Sequence, residues 1–146
     1  MVQVFDGAKI TSNTAIFKTL DICEVHNEEL DFESKFTLTA LKDTSWHCFV
    51  ISFDTDFVRH CKSPIKLPTG PKATPTHWQQ VGLGLDEPLL LNAGDRIEGR
   101  IHMQRNQDNH RNYDIVLRID IVWDSSTGST KEHCIYNNWH RLFPLT

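Results

Sequence analysis

Thr76, His77 and Trp78 are the residues of this sequence whose types and spacing best suit chemistry. An imidazole titrates near neutral pH, and its two ring nitrogens donate or accept hydrogen bonds. An indole beside it adds a large apolar wall with a single polar donor. Together they fit the rim of a binding or catalytic cleft, although Trp78 could equally do no more than start the next strand. They close the stretch 67–80, L-P-T-G-P-K-A-T-P-T-H-W-Q-Q. Its three prolines fix φ and remove backbone donors, which excludes a helix or a central strand. Gly70, between Thr69 and Pro71, offers a turn position that tolerates positive φ. The expectation is a stiff, ordered loop that brings Thr76, His77 and Trp78 to one place.

Other candidate chemistry is weaker. The pairs His47-Cys48, His60-Cys61 and His133-Cys134 are adjacent in sequence, and adjacent strand residues point to opposite faces, so no pair chelates from a regular strand. A structural zinc site needs four converging ligands, and no metal site is expected. Gly82-Leu83-Gly84 is only a fragment of a glycine-rich strand-to-helix turn, and Pro88 stands where a helix would have to follow. Glu28-Glu29 reads as a solvated turn, and 106–111 as a solvated polar loop.

The elements that must position the loop read as strands. Ile16, Leu20 and Ile22 share parity, with Lys18 as the exception. Phe36, Leu38 and Ala40 alternate with threonines. His47, Phe49, Ile51, Phe53 and Phe57 line one face of a next strand, with Ser52, Asp54 and Asp56 opposite. The turn 42–45 between those two strands suits a hairpin. Val81, Leu83 and Leu85 oppose Gln80, Gly82 and Gly84, and Asp86-Glu87-Pro88 is expected to break that strand. Asn92-Ala93-Gly94-Asp95 turns the chain again. Ile97, Ile101 and Met103 alternate with Glu98, Arg100 and His102. The clearest strand has Tyr113, Ile115, Leu117, Ile119, Ile121 and Trp123 on one side and Asp114, Arg118 and Asp120 on the other. A serine-rich turn at 125–129 precedes a last strand over 133–139. Many short strands separated by turns indicate an all-β barrel or sandwich of about eight to ten mostly antiparallel strands. A closed barrel is favoured because it leaves no exposed edge.

A chain of 146 residues is most simply one domain, here 1–146, with enough length for a core without staples. A formal net charge of −4 gives a nucleic-acid partner no electrostatic support. No apolar run is long enough to span a bilayer as a helix, so no membrane partner is expected. Cys23, Cys48, Cys61 and Cys134 form no C-x-x-C, and Met1 is followed directly by Val2-Gln3-Val4-Phe5 with no leader pattern. Reduced thiols in an intracellular protein, cytoplasmic or nuclear, are expected.

Thr76-His77-Trp78 with Gln80, preceded by Thr69-Gly70-Pro71, resembles the threonine–histidine–tryptophan loop of the protein arginine methyltransferases. Ala93-Gly94-Asp95 resembles the turn that follows it in that family, and 109–115, N-H-R-N-Y-D-I, its N-x-R-x-x-D segment. Leu30-Asp31-Phe32 and Phe53-Asp54-Thr55-Asp56-Phe57 resemble further family segments. The resemblance runs from near residue 2 to about residue 120, leaving 121–146 as a divergent tail. It covers the family's C-terminal β-barrel, of type I-like members, and begins after the helical dimerisation arm and the paired-glutamate loop.

The resemblance implies that His77 sits at the cleft beside an acidic residue of a catalytic half. There it would shape the pocket for the substrate arginine. Trp78 would wall the cleft, and Thr76, His77 and Trp78 would be substrate-binding. S-adenosylmethionine would serve the full-length enzyme, with no cofactor site in this chain, which is expected to be inactive and monomeric alone. The implied partners are a protein with an exposed arginine or a catalytic methyltransferase half. The family usually has Ser at Pro68, Lys at Gln79, and aromatic residues where V-G-L-G-L stands, so the groove is expected to differ. A non-catalytic peptide-binding barrel derived from the family, and a barrel that pairs with a separate catalytic polypeptide, are the rival readings.

Overall fold

The structure is a computed structural model that describes residues 1–109 and 111–122, together with the backbone of 131–137. Trp123, the turn at 125–129, Trp139 and His110 lie outside the described residues. Nine strands are found among the described residues. In chain order they are β1 (Val2–Gln3), β2 (Phe32–Thr39), β3 (Thr44–Ile51), β4 (Asp54–Phe57), β5 (Ile65–Pro68), β6 (Gln80–Leu91), β7 (Arg96–Arg105), β8 (Tyr113–Val122) and β9 (Lys131–Asn137). The only helical turns described are 3-10 turns at Gly7–Lys9 and Asn27–Leu30. The all-β, antiparallel class expected from the sequence is what the chain adopts.

By contact, the chain divides into two compact units. Met1–Thr11 with Ser45–Leu89 forms the first, and Ser12–Thr44 with Leu90–Thr146 the second. In the first unit β1, β6 and β3 form a sheet in that order, and β4 and β5 form a two-stranded ribbon. The Met1 ammonium donates to the Gly82 carbonyl at 2.8 Å, and Gly82 N–H donates back to the Met1 carbonyl at 2.8 Å. Phe5 then lays its ring where a Gly82 side chain would be, so glycine is required there by a close approach. Trp46, Phe49, Val81, Leu83 and Leu89 are buried, and the Trp46 and Phe49 rings meet edge to face at 5.9 Å.

In the second unit the sheet runs β2-β7-β8-β9. Ile97, Ile101, Ile115, Leu117, Ile119 and Ile121 fill its inner face at 3% exposure or less. Period-2 alternation is what sends these side chains inward and the intervening charges out. Gly99 sits opposite Phe36 in the register, and the Phe36 ring covers it. The 92–95 turn forms as expected. Gly94 takes φ 97°, and Asp95, 3% exposed, accepts the Asn92 N–H at 2.7 Å through Oδ2.

Several expectations are corrected. No strand forms over Ile16, Leu20 and Ile22, and Ile16 and Ile22 stand 83% and 80% exposed. Asn13 takes the place of a paired strand there: its Oδ1 accepts the Thr39 N–H at 2.7 Å. The expected strand through His47 and Phe57 is two strands, β3 and β4, and within β3 it is Trp46 and Phe49 that are buried while His47 is exposed. β2 and β3 do not form a hairpin, because β2 pairs with β7 and β3 with β6. Between them Asp43 turns its carboxylate to the Ala93 N–H at 2.9 Å, and Ala40 bonds Gly94 and Asp95. Pro88 does not break β6. The strand runs on to Leu91, with Asp86, Glu87 and Pro88 all exposed.

Candidate functional site

The loop carrying Thr76, His77 and Trp78 leaves β5 at Pro68 and enters β6 at Gln80, so the two ends of the 67–80 stretch belong to strands. Its first foot is Thr69, 2% exposed. Thr69 Oγ1 donates to the Phe53 carbonyl and accepts the Phe53 N–H at 3.3 Å. Thr69 N–H reaches Asp54 Oδ1 at 3.2 Å. The Thr69 hydroxyl both donates and accepts through one oxygen at the break between β3 and β4.

The second foot is Gln80, 4% exposed. Its Nε2 donates to the Thr69 carbonyl at 2.7 Å, and its Oε1 accepts the Phe5 N–H at 2.8 Å. One amide side chain therefore ties the two ends of the loop to each other and to the N-terminal segment. Gly7 packs so closely on the loop that a Cβ there would stand 2.6 Å from the Pro71 carbonyl oxygen. Positive φ falls at Gln79, φ 40°, and not at Gly70 as expected. Gly70 instead accepts the Ala73 N–H at 2.9 Å in a tight turn. A left-handed non-glycine residue beside the His–Trp pair is strained backbone held by its surroundings.

Thr76, His77 and Trp78 do come together. Thr76 Oγ1 accepts the Trp78 N–H at 3.2 Å. Trp78, 37% exposed, meets Phe53 edge to face at 5.5 Å. His77 is exposed, with its ring centroid 4.6 Å from that of Trp78. The pair can therefore offer an imidazole hydrogen bond beside an aromatic wall. Sequence reasoning missed the feet. Thr69 and Gln80 are polar residues bracketing a proline-rich loop, and the bracket itself was the available signal. Gln80 lies on the strand face opposite Val81, Leu83 and Leu85, and alternation alone does not show that this face is buried at its first residue.

Two of the other family-like segments contribute to clasps. Asp31 accepts Arg105 N–H at 2.7 Å, Arg105 Nε at 3.2 Å and Arg105 Nη2 at 2.9 Å. These bonds hold the Asp31 carboxyl well below its ordinary range, at about 2. Asn106, 6% exposed and read from sequence as part of a solvated loop, donates to both Asp114 oxygens at 3.1 and 3.2 Å. Its Oδ1 accepts the Asp108 and Asn109 N–H groups at 3.0 and 2.9 Å.

No cluster of His, Cys, Asp or Glu among the described residues converges as a metal site. Gly82 and Gly84 lie within β6, and the Phe5 ring fills the space over Gly82, so they do not form a cradle for S-adenosylmethionine. Glu29 is occupied with the His26 N–H at 3.1 Å.

Among the described residues, antiparallel ladders hold the fold and a clamped loop exposes a His–Trp pair. The sequence matches the arginine methyltransferase oligomerization subdomain over residues 1–124, and the chain belongs to that family. It is 35% identical to protein arginine N-methyltransferase 1 of Schizosaccharomyces pombe over 115 residues, which are 79% of this chain and 34% of the relative. With the probable protein arginine N-methyltransferase 1.2 of Arabidopsis thaliana it shares 30% over 140 residues, 96% of this chain and 36% of the relative. The chain thus spans about a third of the length of these relatives.

Among solved structures, the Trypanosoma brucei PRMT1 enzyme–prozyme heterotetrameric complex with AdoHcy aligns with a TM-score of 0.82 at 30% identity, over 92% of this chain and 42% of that one. Arabidopsis thaliana protein arginine methyltransferase 10 aligns with a TM-score of 0.85 at 23% identity, over 92% of this chain and 40% of that one, and shares the fold.

Proposed function

We propose that this chain is the substrate-side domain of a protein arginine methyltransferase and that its Thr76–Trp78 loop borders the cleft where a protein arginine is methylated. The observation that carries the reading is the loop's construction. Thr69 and Gln80 hold both feet, while His77 and Trp78 remain accessible at the tip. His77 would hydrogen-bond a carboxylate of the catalytic half and so fix one wall of the arginine pocket. Trp78 would form the adjoining wall, and Thr76 would set its backbone. S-adenosylmethionine, bound by the catalytic half, would supply the methyl group. The domain's contribution is positioning, not bond making.

The substrate class is a protein with an exposed arginine, and the reading carries with it an intracellular location and 1–146 acting as one domain. A domain that serves a separate catalytic polypeptide is the second reading, favoured by a structural neighbour that is an enzyme–prozyme complex.

The test joins or co-expresses the chain with a catalytic half from a relative and compares wild type with His77→Ala on an arginine-containing peptide. The expected loss in kcat/KM is up to about 10²-fold, with the urea midpoint of the isolated chain unchanged. Full activity of His77→Ala, or unfolding of the chain by it, would overturn the assignment.

A further inference from the structure

The register of the second unit's sheet places three cations in one row across its exposed face. Lys35 of β2 lies opposite Arg100 of β7, and Arg100 lies opposite Arg118 of β8. All three are exposed. Strands about 4.8 Å apart spread this row over roughly 10 Å. Like charges directly opposite one another destabilise a sheet. Among the described residues, only Arg100 has an acidic partner in this row: Glu33 at 3.7 Å, with both side chains more than half exposed, at 56% and 51%. Such a pair contributes about 0–1 kcal/mol and leaves most of the guanidinium donors free.

The next row on the same face is Glu33, His102 and Val116. With Arg100 and Arg118 it lines an open hollow of about 210 Å³. The row on the other side holds Thr37, Glu98 and Asp120, so the hollow opens away from those two carboxylates.

We infer that this face docks an acidic protein segment, with successive Asp or Glu side chains seated along Lys35, Arg100 and Arg118. Guanidinium forks match carboxylates bidentately, His102 adds a donor, and Val116 gives the hollow an apolar floor. The hollow is too open for a small metabolite, which a site normally engulfs. A single phosphate would engage one or two cations of a row built from three. A nucleic-acid duplex carries a regular phosphate on every nucleotide and draws on many phosphate contacts, more than one row of three cations supplies.

Anisotropy of a fluorescein-labelled octaglutamate peptide, titrated with the whole chain at low salt, tests this. Binding should weaken with salt, fall by about 5-fold in Arg118→Ala and in Lys35→Ala, and disappear in the Lys35→Glu/Arg118→Glu double variant. Glu98→Gln should tighten it. All three positions are exposed, so unchanged circular dichroism will show that the variants fold. Equal affinity across the variants would overturn the inference. So would displacement of the peptide by inorganic phosphate at matched charge, or tighter binding of a DNA duplex that the same variants abolish.

Discussion

At the scale of single residues, the site depends on side chains that were not suspected of any role. Gln80 satisfies two backbone groups at once, the buried Thr69 carbonyl and the part-buried Phe5 N–H. Gln80→Ala orphans both, and each unsatisfied buried group costs about 1–3 kcal/mol. The expected result is a lower urea midpoint together with faster tryptic cleavage after exposed Lys72, because the loop loses its tie. An unaltered midpoint and cleavage rate would mean that the amide does not hold the loop. Asp31 acts through pH. Its folded pKa, about 2, lies below the ordinary carboxylate value because Arg105 binds its charged form. A depressed pKa stabilises the folded chain above the unfolded value near 3.9, and that contribution is lost as pH falls through the folded one. Asp31→Asn should therefore be less stable than wild type at pH 7, and the gap should close between about pH 4 and pH 2. A gap constant with pH would place the Asp31 contribution in packing instead.

At the scale of elements, alternation was readable wherever a strand is buried on one face by its own sheet. β7 and β8 are such strands, and every inward residue expected from Ile97 to Ile121 is inward except that Met103 and Tyr113, at the far ends, are only half-buried. Leu117, 3% exposed in mid-strand, should cost about 2–5 kcal/mol on Leu117→Ala, whereas Glu98→Ala on the outer face should change stability by no more than about 0.5 kcal/mol. Equal small losses would show the inner face to be misassigned. Pairing was less legible than facing. Alternation in β2 and β3 says which side of each strand is apolar, but not which strand lies beside it. The turn between them looked like a hairpin because nothing local reveals that Asp43 binds Ala93. Nor does local sequence show that Ser52 and Phe53 interrupt a strand, since the cause is a hydroxyl sixteen residues away at Thr69. The Thr76–Trp78 tip was legible because its residue types are unusual together. Its feet were not, because they act through distant backbone groups.

At the scale of the whole molecule, the question is what the chain does unaided. A glycine pair next to a strand end can open a strand-to-helix cofactor-binding turn only where the chain leaves the sheet and a helix begins. Here β6 continues through Gly82 and Gly84 to Leu91, and Gly82 is covered by Phe5. Two carboxylates of the family-like segments are also committed within the chain. Asp31 grips Arg105, and Asp114 grips Asn106. Calorimetry of the purified chain against S-adenosylmethionine should therefore show no heat of binding, and an arginine-rich peptide should remain unmethylated. The far-ultraviolet circular dichroism of the same sample should be β-rich, which excludes misfolding as the reason. Adding a catalytic half should restore cofactor binding through that half, and the His77 dependence of turnover should appear only then. Micromolar cofactor binding by the chain alone would show that a site is built from residues other than this glycine pair, and it would remove the division of labour on which the role of His77 rests.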